Sequence, residues 1–166
     1  LAVDTLFYEG VNYYNNKNYK QALEIFQLLD RVYDDHARLT ASLLMQGKSY
    51  YHLGTYKKSL DRFDTLINEF PGSSYYDDAL FNKMLVHYKM GMMKIAVING
   101  IKLLDHGGDE RILRMGADFA TKIMKTKMNI PELKELLQEV QGERGKAAVT
   151  LQIAQKEIDN QHYQTV

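Results

Sequence analysis

Residues 10–26, GVNYYNNKNYKQALEIF, and residues 47–63, GKSYYHLGTYKKSLDRF, decide the fold, because they match at one offset of 37 residues. The identities at this offset include Gly10 with Gly47, Tyr13 with Tyr50, Tyr14 with Tyr51, Tyr19 with Tyr56, Leu23 with Leu60 and Phe26 with Phe63. Identities at one fixed spacing indicate an internal repeat. The chain is therefore interpreted first as a series of repeated units.

The same offset continues through the chain with a weaker match. Residues 84–100 keep Tyr88 and Gly91 in register with Tyr51 and Gly54, and residues 121–137 keep only the outline of two helices. We predict units at about 3–35, 36–71, 73–107 and 108–142, with a partial unit at 143–166 whose first helix ends near residue 159. The chain starts at Leu1 instead of Met. We therefore expect a fragment of a larger protein or a mature form, and the length of 166 residues predicts a single domain.

Each unit is predicted to be a helix–turn–helix. In residues 56–70 the apolar residues recur at helical spacing, Gly54 suits a helix C-terminus, and Pro71 follows the second helix. Small residues such as Gly47 and Ser59 let the two helices approach, and Phe63 fills the space between them. One unit cannot bury its apolar face alone, so neighbouring units must stack. The expected fold is all-α, a right-handed α-solenoid of about four to four and a half helix–turn–helix repeats.

The repeat resembles the tetratricopeptide repeat, whose unit has a small residue and aromatics in its first helix, helix A, then Ala-x-x-x-Phe in its second, helix B, then proline. The matching residues are Gly10, Tyr13, Ala22 and Phe26 in unit one, and Gly47, Tyr50, Ser59, Phe63 and Pro71 in unit two. The period of 37 departs from the family's 34. The resemblance implies an array that binds proteins or peptides without catalysis.

In such arrays one stripe of each helix A lines a concave surface. The resemblance places the candidate partner-binding residues on this stripe: Phe7, Tyr14, Asn15, Lys48, Tyr51, His52, Tyr88, Lys89 and Lys122. Tyr14, Tyr51 and Tyr88 recur at one position and form a predicted tyrosine ladder. Tyrosine offers contact area with a polar tip, but the rings could equally pack against the adjacent repeat. The family's Lys–Asn clamp for a peptide carboxylate is absent.

From the composition and the absence of catalytic motifs we expect neither enzymatic activity nor a cofactor. Lys plus Arg and Asp plus Glu are 21 each, there is no cysteine, and no apolar run has the length of a membrane span. We therefore expect no nucleic-acid partner and no direct membrane insertion. No two histidines have helical metal-ligand spacing, and HGGDER (106–111) is interpreted as a turn. We expect His87 to be a hydrogen-bonded core residue, and the other four histidines to be surface or loop residues.

Residues 69–81, EFPGSSYYDDALF, are interpreted as the joint between units two and three. We expect Pro71 and Gly72 to turn the chain, a serine to cap the next helix, and Asp77 and Asp78 to lie in its first turns. The joint is similar to those of bacterial cell-envelope tetratricopeptide proteins. This resemblance implies a periplasmic or other extracytoplasmic location, and a cytoplasmic one stays open. Two alternative functions also stay open: a structural spacer or self-association module, and a binder of glycan or nucleic-acid strands.

Overall fold

The computed structural model describes residues 2–164. Over these residues the secondary structure consists of nine α-helices without a β-strand: α1 (Ala2–Asn15), α2 (Tyr19–Val32), α3 (Leu39–His52), α4 (Tyr56–Glu69), α5 (Tyr76–Lys89), α6 (Met93–His106), α7 (Glu110–Lys127), α8 (Ile130–Glu139) and α9 (Glu143–Gln164). Neighbouring helices pack in pairs, α1 with α2 and α3 with α4. The all-α prediction and the series of helix–turn–helix repeats are therefore confirmed.

The turn between helix A and helix B has the same backbone geometry in the first three repeats. Its central residue has a positive φ at Lys17 (62°), Gly54 (72°) and Gly91 (78°), three positions spaced by 37 residues. Two backbone hydrogen bonds recur at this turn. In the first, the N–H group of the positive-φ residue donates to a carbonyl three residues earlier: Lys17 to Tyr14, Gly54 to Tyr51, and Gly91 to Tyr88. In the second, the N–H group of the next residue donates to a carbonyl five residues earlier: Asn18 to Tyr13, Thr55 to Tyr50, and Met92 to His87. These bonds satisfy the last carbonyls of helix A in a Schellman motif.

The chain divides into two compact units, with the boundary between Val86 and His87 inside α5. In the first unit, Phe26 and Phe63 are fully buried between the two helices of their repeats. A Cβ atom added to Gly10 would lie 2.7 Å from the Phe26 ring, and one added to Gly47 would lie 2.4 Å from the Phe63 ring. The close approach predicted from these glycines is therefore confirmed.

The second unit has its own core from α6, α7, α8 and α9. Its largest fully buried side chains are Leu103, Ile123, Met124, Leu133 and Leu136. α6 packs against α7, and α9 contacts α6, α7 and α8. The prediction that residues 1–166 form a single domain is not tested by this division and stays a prediction.

The joint before α5 and the start of α7 match the expected turns. Ser73 Oγ accepts a hydrogen bond from Tyr75 N at 3.1 Å, and Asp77 and Asp78 lie in the first turn of α5. In HGGDER, Gly107 has a φ of 67°, and the Asp109 carboxylate accepts hydrogen bonds from the backbone N–H groups of Arg111 and Ile112. The carboxylate therefore occupies the position that an anion would take at this helix N-terminus.

The turn expected near residue 160 is absent. α9 continues as one helix from Glu143 to Gln164, so a helix-turn-helix start within the described part of the partial unit was a wrong prediction. No glycine or proline interrupts residues 146–164, which explains why the helix does not stop there. The last two residues of the predicted unit, 165 and 166, lie outside the described residues.

Candidate interaction surface

An aromatic cluster joins the first two repeats at the A–B turn end of the first unit. The Tyr19 ring, at the start of α2, stacks on His52 of α3 with 4.3 Å between ring centroids and an interplanar angle of 8°. Tyr14, near the end of α1, contacts both rings edge-on at 5.3 and 5.7 Å. The Lys48 ammonium lies 5.3 Å from the centroid of the Tyr14 ring, a distance suited to a cation–π interaction.

The cluster changes the ionisation of two of its members. Burial, with a smaller contribution from Tyr19, raises the pKa of Tyr14 to about 12. Burial lowers the pKa of His52, and the positive charge of Lys48 lowers it further. His52 is therefore mainly neutral near pH 7, so its Nε2 can accept a hydrogen bond from the Tyr14 hydroxyl, 3.1 Å away. Lys48 then supplies the positive charge of the cluster.

Tyr51 continues the predicted ladder on α3, and it is half-buried. Its ring lies 5.3 Å from His52 and 6.0 Å from Tyr56 of α4, and it packs against the core cluster that contains Phe63. Tyr14 is likewise half-buried. These two rings therefore use part of their area to hold adjacent helices together, while the rest remains accessible to a partner.

The second unit contains Tyr88, Lys89 and Lys122 of the predicted stripe. Tyr88 is half-buried, with its ring edge-on to Phe119 of α7 at 5.1 Å, and both lysines are exposed. The contact of Tyr88 with Phe119 was not predicted from the sequence.

Phe7 and Asn15 mark the limits of the stripe on α1. Phe7 is only 7% exposed, and its ring packs against Phe26 at 5.7 Å. Phe7 is therefore a core residue and is left out of the interaction surface, because the register alone does not distinguish an inward aromatic from an accessible one. Asn15, the last residue of α1, is exposed.

Tyr19 belongs to the cluster although it was not predicted as a site residue. The signal was present, because Tyr19 and Tyr56 match at the 37-residue offset and each begins a helix B. The identity was attributed to the repeat pattern. The contact of this ring with the tyrosine of helix A, which occurs in both repeats, was therefore not predicted.

Two buried histidines bear on the chemistry expected of this chain. His87 is buried and its Nδ1 lies 3.0 Å from Nδ2 of Asn99, which confirms the predicted core hydrogen bond. His36 is in a loop, as expected, but it is buried: its Nδ1 accepts from Arg38 N at 3.1 Å and its Nε2 lies 2.9 Å from Asp30 Oδ1. Residues 2–164 contain no group of three or more His, Asp or Glu side chains placed to hold a metal ion.

Comparison with known proteins agrees with the repeat geometry in the first unit. The family model of the tetratricopeptide repeat matches residues 4–36 and 41–73, which cover all but the first two residues of each of the helix pairs α1–α2 and α3–α4. The comparison with curated proteins found no match. Among the described residues, none of the helices has the length and apolar character needed to cross a bilayer. The segments 4–36 and 41–73 of this chain are therefore similar to tetratricopeptide repeats.

Proposed function

We propose that this chain is a non-catalytic scaffold module that binds a protein or peptide through the accessible side of its A helices. Tetratricopeptide repeats generally mediate protein–protein interactions, and two segments similar to them occur here. The observation that carries the proposal is the cluster of Tyr14, Tyr19, Lys48 and His52, with Tyr51 beside it. Half-buried tyrosines on a rigid helix are already ordered, so contact with a partner costs little additional side-chain entropy.

The test is affinity capture from a bacterial envelope extract with immobilised wild-type chain and the double variant Tyr51→Ala/Tyr88→Ala. A partner that is retained by wild type and lost by this variant supports the proposal. The matched control is Tyr33→Ala/Tyr163→Ala, which removes two tyrosine rings outside the stripe. All three proteins are compared by thermal melting, so that a loss of capture is accepted only from a folded variant. Equal capture by all three proteins would refute the use of this surface.

Self-association is a second candidate function, favoured by α9. Leu151 is 65% exposed and Ile158, seven residues later on the same helical stripe, is 49% exposed. Two accessible apolar side chains in line would suit packing against another helix. Sedimentation velocity over a range of concentrations tests this function, with Leu151→Lys as the variant expected to remain monomeric. A wild-type monomer at every concentration would exclude it.

We also propose an extracytoplasmic bacterial location. Its support is the resemblance of the joint FPGSSYYDDALF to joints of cell-envelope tetratricopeptide proteins. Fractionation of cells that express the full-length parent protein, with antibody detection of this segment, tests the location. Recovery in the cytosolic fraction alone would refute it.

A further inference from the structure

The two A–B turns of the first unit carry lysines and no carboxylates. Residues 13–22 and 48–60 contain Lys17, Lys20, Lys48, Lys57 and Lys58, and neither segment contains Asp or Glu. We call these five side chains the lysine edge. Four of them are exposed and Lys48 is partly exposed. Because the whole chain has zero formal net charge, this local excess is not a consequence of overall composition.

The contacts of the aromatic cluster place the two turns side by side. Tyr14 and Tyr19 flank the first turn, and both contact His52, which lies immediately before the second turn. Lys48 lies against Tyr14 of the first repeat, while Lys58 of α4 lies 5.7 Å from the ring centroid of Tyr50. The two lysine-bearing turns therefore lie side by side at the same end of the first unit.

The lysines of this edge differ from several other lysines of the described chain in forming no ion pair. Lys83 pairs with Asp64, and Lys94, Lys134 and Lys146 each pair with a glutamate. By contrast, across residues 2–164 no ion pair joins a lysine of the edge to a carboxylate. The opposite end of this unit carries the carboxylates Asp30, Asp34, Asp35, Glu69, Asp77 and Asp78, in the loops and the helix turns beside them, against the two cations Arg31 and Arg38. The first unit is therefore electrically polarised from one end of its helices to the other.

The helices themselves gain little from three of these lysines. Lys20 lies in the first turn of α2, and Lys57 and Lys58 lie in the first turn of α4; neither turn holds an acidic residue. A positive charge is unfavourable at a helix N-terminus because of the helix dipole. α7 and α8 have the usual arrangement, with Glu110 and Glu132 in their first turns. The lysines therefore oppose local helix stability, which favours a role outside folding.

We propose that the lysine edge binds an acidic segment, rich in aspartate and glutamate, of a partner protein. This inference rests on the proposed scaffold function and names the chemistry of its partner. Carboxylates would pair with the exposed ammonium groups, and the accessible sides of Tyr14 and His52 would contact the partner's backbone and small side chains. A polarised surface of this kind mainly sets partner choice and association rate.

The ring contacts favour a protein segment over a nucleic-acid strand. Strand binding uses aromatic faces on which bases stack, but the Tyr19 and His52 rings already stack on each other and the Lys48 ammonium lies over one face of Tyr14. A membrane surface is disfavoured by the apolar content of the edge. Among the described residues of the two turns, Leu53 is the large apolar side chain that is exposed, and stable interfacial binding needs more buried apolar area.

Fluorescence anisotropy tests the inference with a labelled peptide in which glutamate alternates with glycine and serine. The control peptide has glutamine at each glutamate. We expect binding of the glutamate peptide alone, weakening as salt is added because exposed charges are screened. Lys17→Gln/Lys20→Gln/Lys57→Gln should weaken binding by about ten-fold, the combined effect of three exposed charge pairs. The variant Lys102→Gln/Arg114→Gln/Lys134→Gln removes three positive charges elsewhere and should bind like wild type.

Three results would overturn the inference: equal binding of the glutamine peptide, no loss in the Lys17/Lys20/Lys57 variant, or an equal loss in the control variant. Tighter binding of oligothymidylate, or of vesicles containing phosphatidylserine, would assign the edge to a nucleic acid or a membrane instead. If the peptide assay fails while tyrosine-dependent capture persists, the scaffold function stands and only its acidic partner is refuted. If capture fails as well, both are refuted.

Discussion

The substitution Gly47→Ala should destabilise the protein, although Gly→Ala within a helix usually stabilises it. Alanine has the higher helix propensity, worth about 1 kcal/mol. At Gly47, however, the added Cβ would lie 2.4 Å from Cε1 of Phe63 and 2.7 Å from two further ring atoms. Phe63 is fully buried, so the ring has no open space to enter. Overpacking of this kind costs about 1–3 kcal/mol, and we expect a cost in the upper part of this range. Because the propensity gain offsets only about 1 kcal/mol of it, the free energy of unfolding should decrease by about 1–2 kcal/mol.

The same alanine should become stabilising once the ring is removed. Phe63→Ala alone is expected to cost about 3–5 kcal/mol, as large truncations in a core do. In the double variant Gly47→Ala/Phe63→Ala there is no ring to clash with, so the propensity gain of about 1 kcal/mol is realised. The double variant should therefore be about 2–4 kcal/mol less stable than wild type, which is a smaller loss than that of Phe63→Ala alone. The effect of Gly47→Ala thus changes sign with its partner.

Urea denaturation followed by circular dichroism measures all four proteins of this cycle. Gly72→Ala is the matched control, because an added Cβ there meets nothing within 4 Å and the glycine has no positive φ. It should change the free energy of unfolding by no more than about 0.5 kcal/mol, as exposed substitutions do. Additive effects of the two core substitutions would refute the reasoning, since residues in direct contact should show coupling above about 0.5 kcal/mol. Stabilisation by Gly47→Ala in the wild-type background would refute it equally.

Three other predictions follow from the turns and the aromatic cluster. Lys17→Gly should stabilise the protein by up to about 1 kcal/mol in the same urea assay, because Lys17 has a φ of 62° where the equivalent Gly54 has 72°; a loss of stability would contradict the strain. Asp109→Ala should cost about 1 kcal/mol in thermal or urea melts, since its carboxylate caps α7, and an unchanged midpoint would contradict the cap. NMR titration should show that the pKa of His52 lies below 6.5 in the wild-type protein. In Lys48→Gln this pKa should rise but stay below 6.5, because burial is the larger cause of the shift. Since the folded-state pKa is the lower one, the stabilisation associated with neutral His52 is present above about pH 6.5 and decreases as the pH falls below it; an unchanged pKa in the variant would contradict the influence of Lys48.

The sequence predicted the repeat well because the packing constraints recur as residue identities. Gly47 and Phe63 are 16 residues apart, as are Gly10 and Phe26, and both pairs form the close contact between helix A and helix B. The A–B turns were equally visible at Gly54 and Gly91. The first turn was harder to assign, because Lys17 adopts the positive φ without being a glycine. Its position at the same offset was the available signal.

The end of the chain was predicted less well, because it lacks such constraints. α9 has a weak apolar pattern, with Leu151 and Ile158 exposed, and neither glycine nor proline marks a stop after residue 146. The expected turn near residue 160 was inferred from the segment DNQHYQTV (159–166), which begins with three polar residues. Polar residues are compatible with an exposed helix as well as with a turn, so composition alone could not decide between them.

The interaction surface shows where register stops being informative. The 37-residue repeat correctly placed Tyr14 and Tyr51 at equivalent positions, but it could not say how much of each ring is used in packing. In the structure His52 contacts both rings, and Tyr19 and Tyr56 approach them from helix B. Those contacts depend on neighbouring repeats being adjacent in space, which a comparison of one repeat with another does not reveal.

The packing of the tyrosines also explains why charge is the better guide to the partner. A ring that joins two repeats must remain in place for the array to be stable, so its freedom to adapt to a partner is limited. Lys17, Lys20 and Lys57 have no comparable structural role: they are exposed and form no ion pair within residues 2–164. Substitution of these lysines should therefore alter binding with little effect on folding. Substitution of Tyr14 or Tyr51 should alter both, which makes the lysines the cleaner test of function.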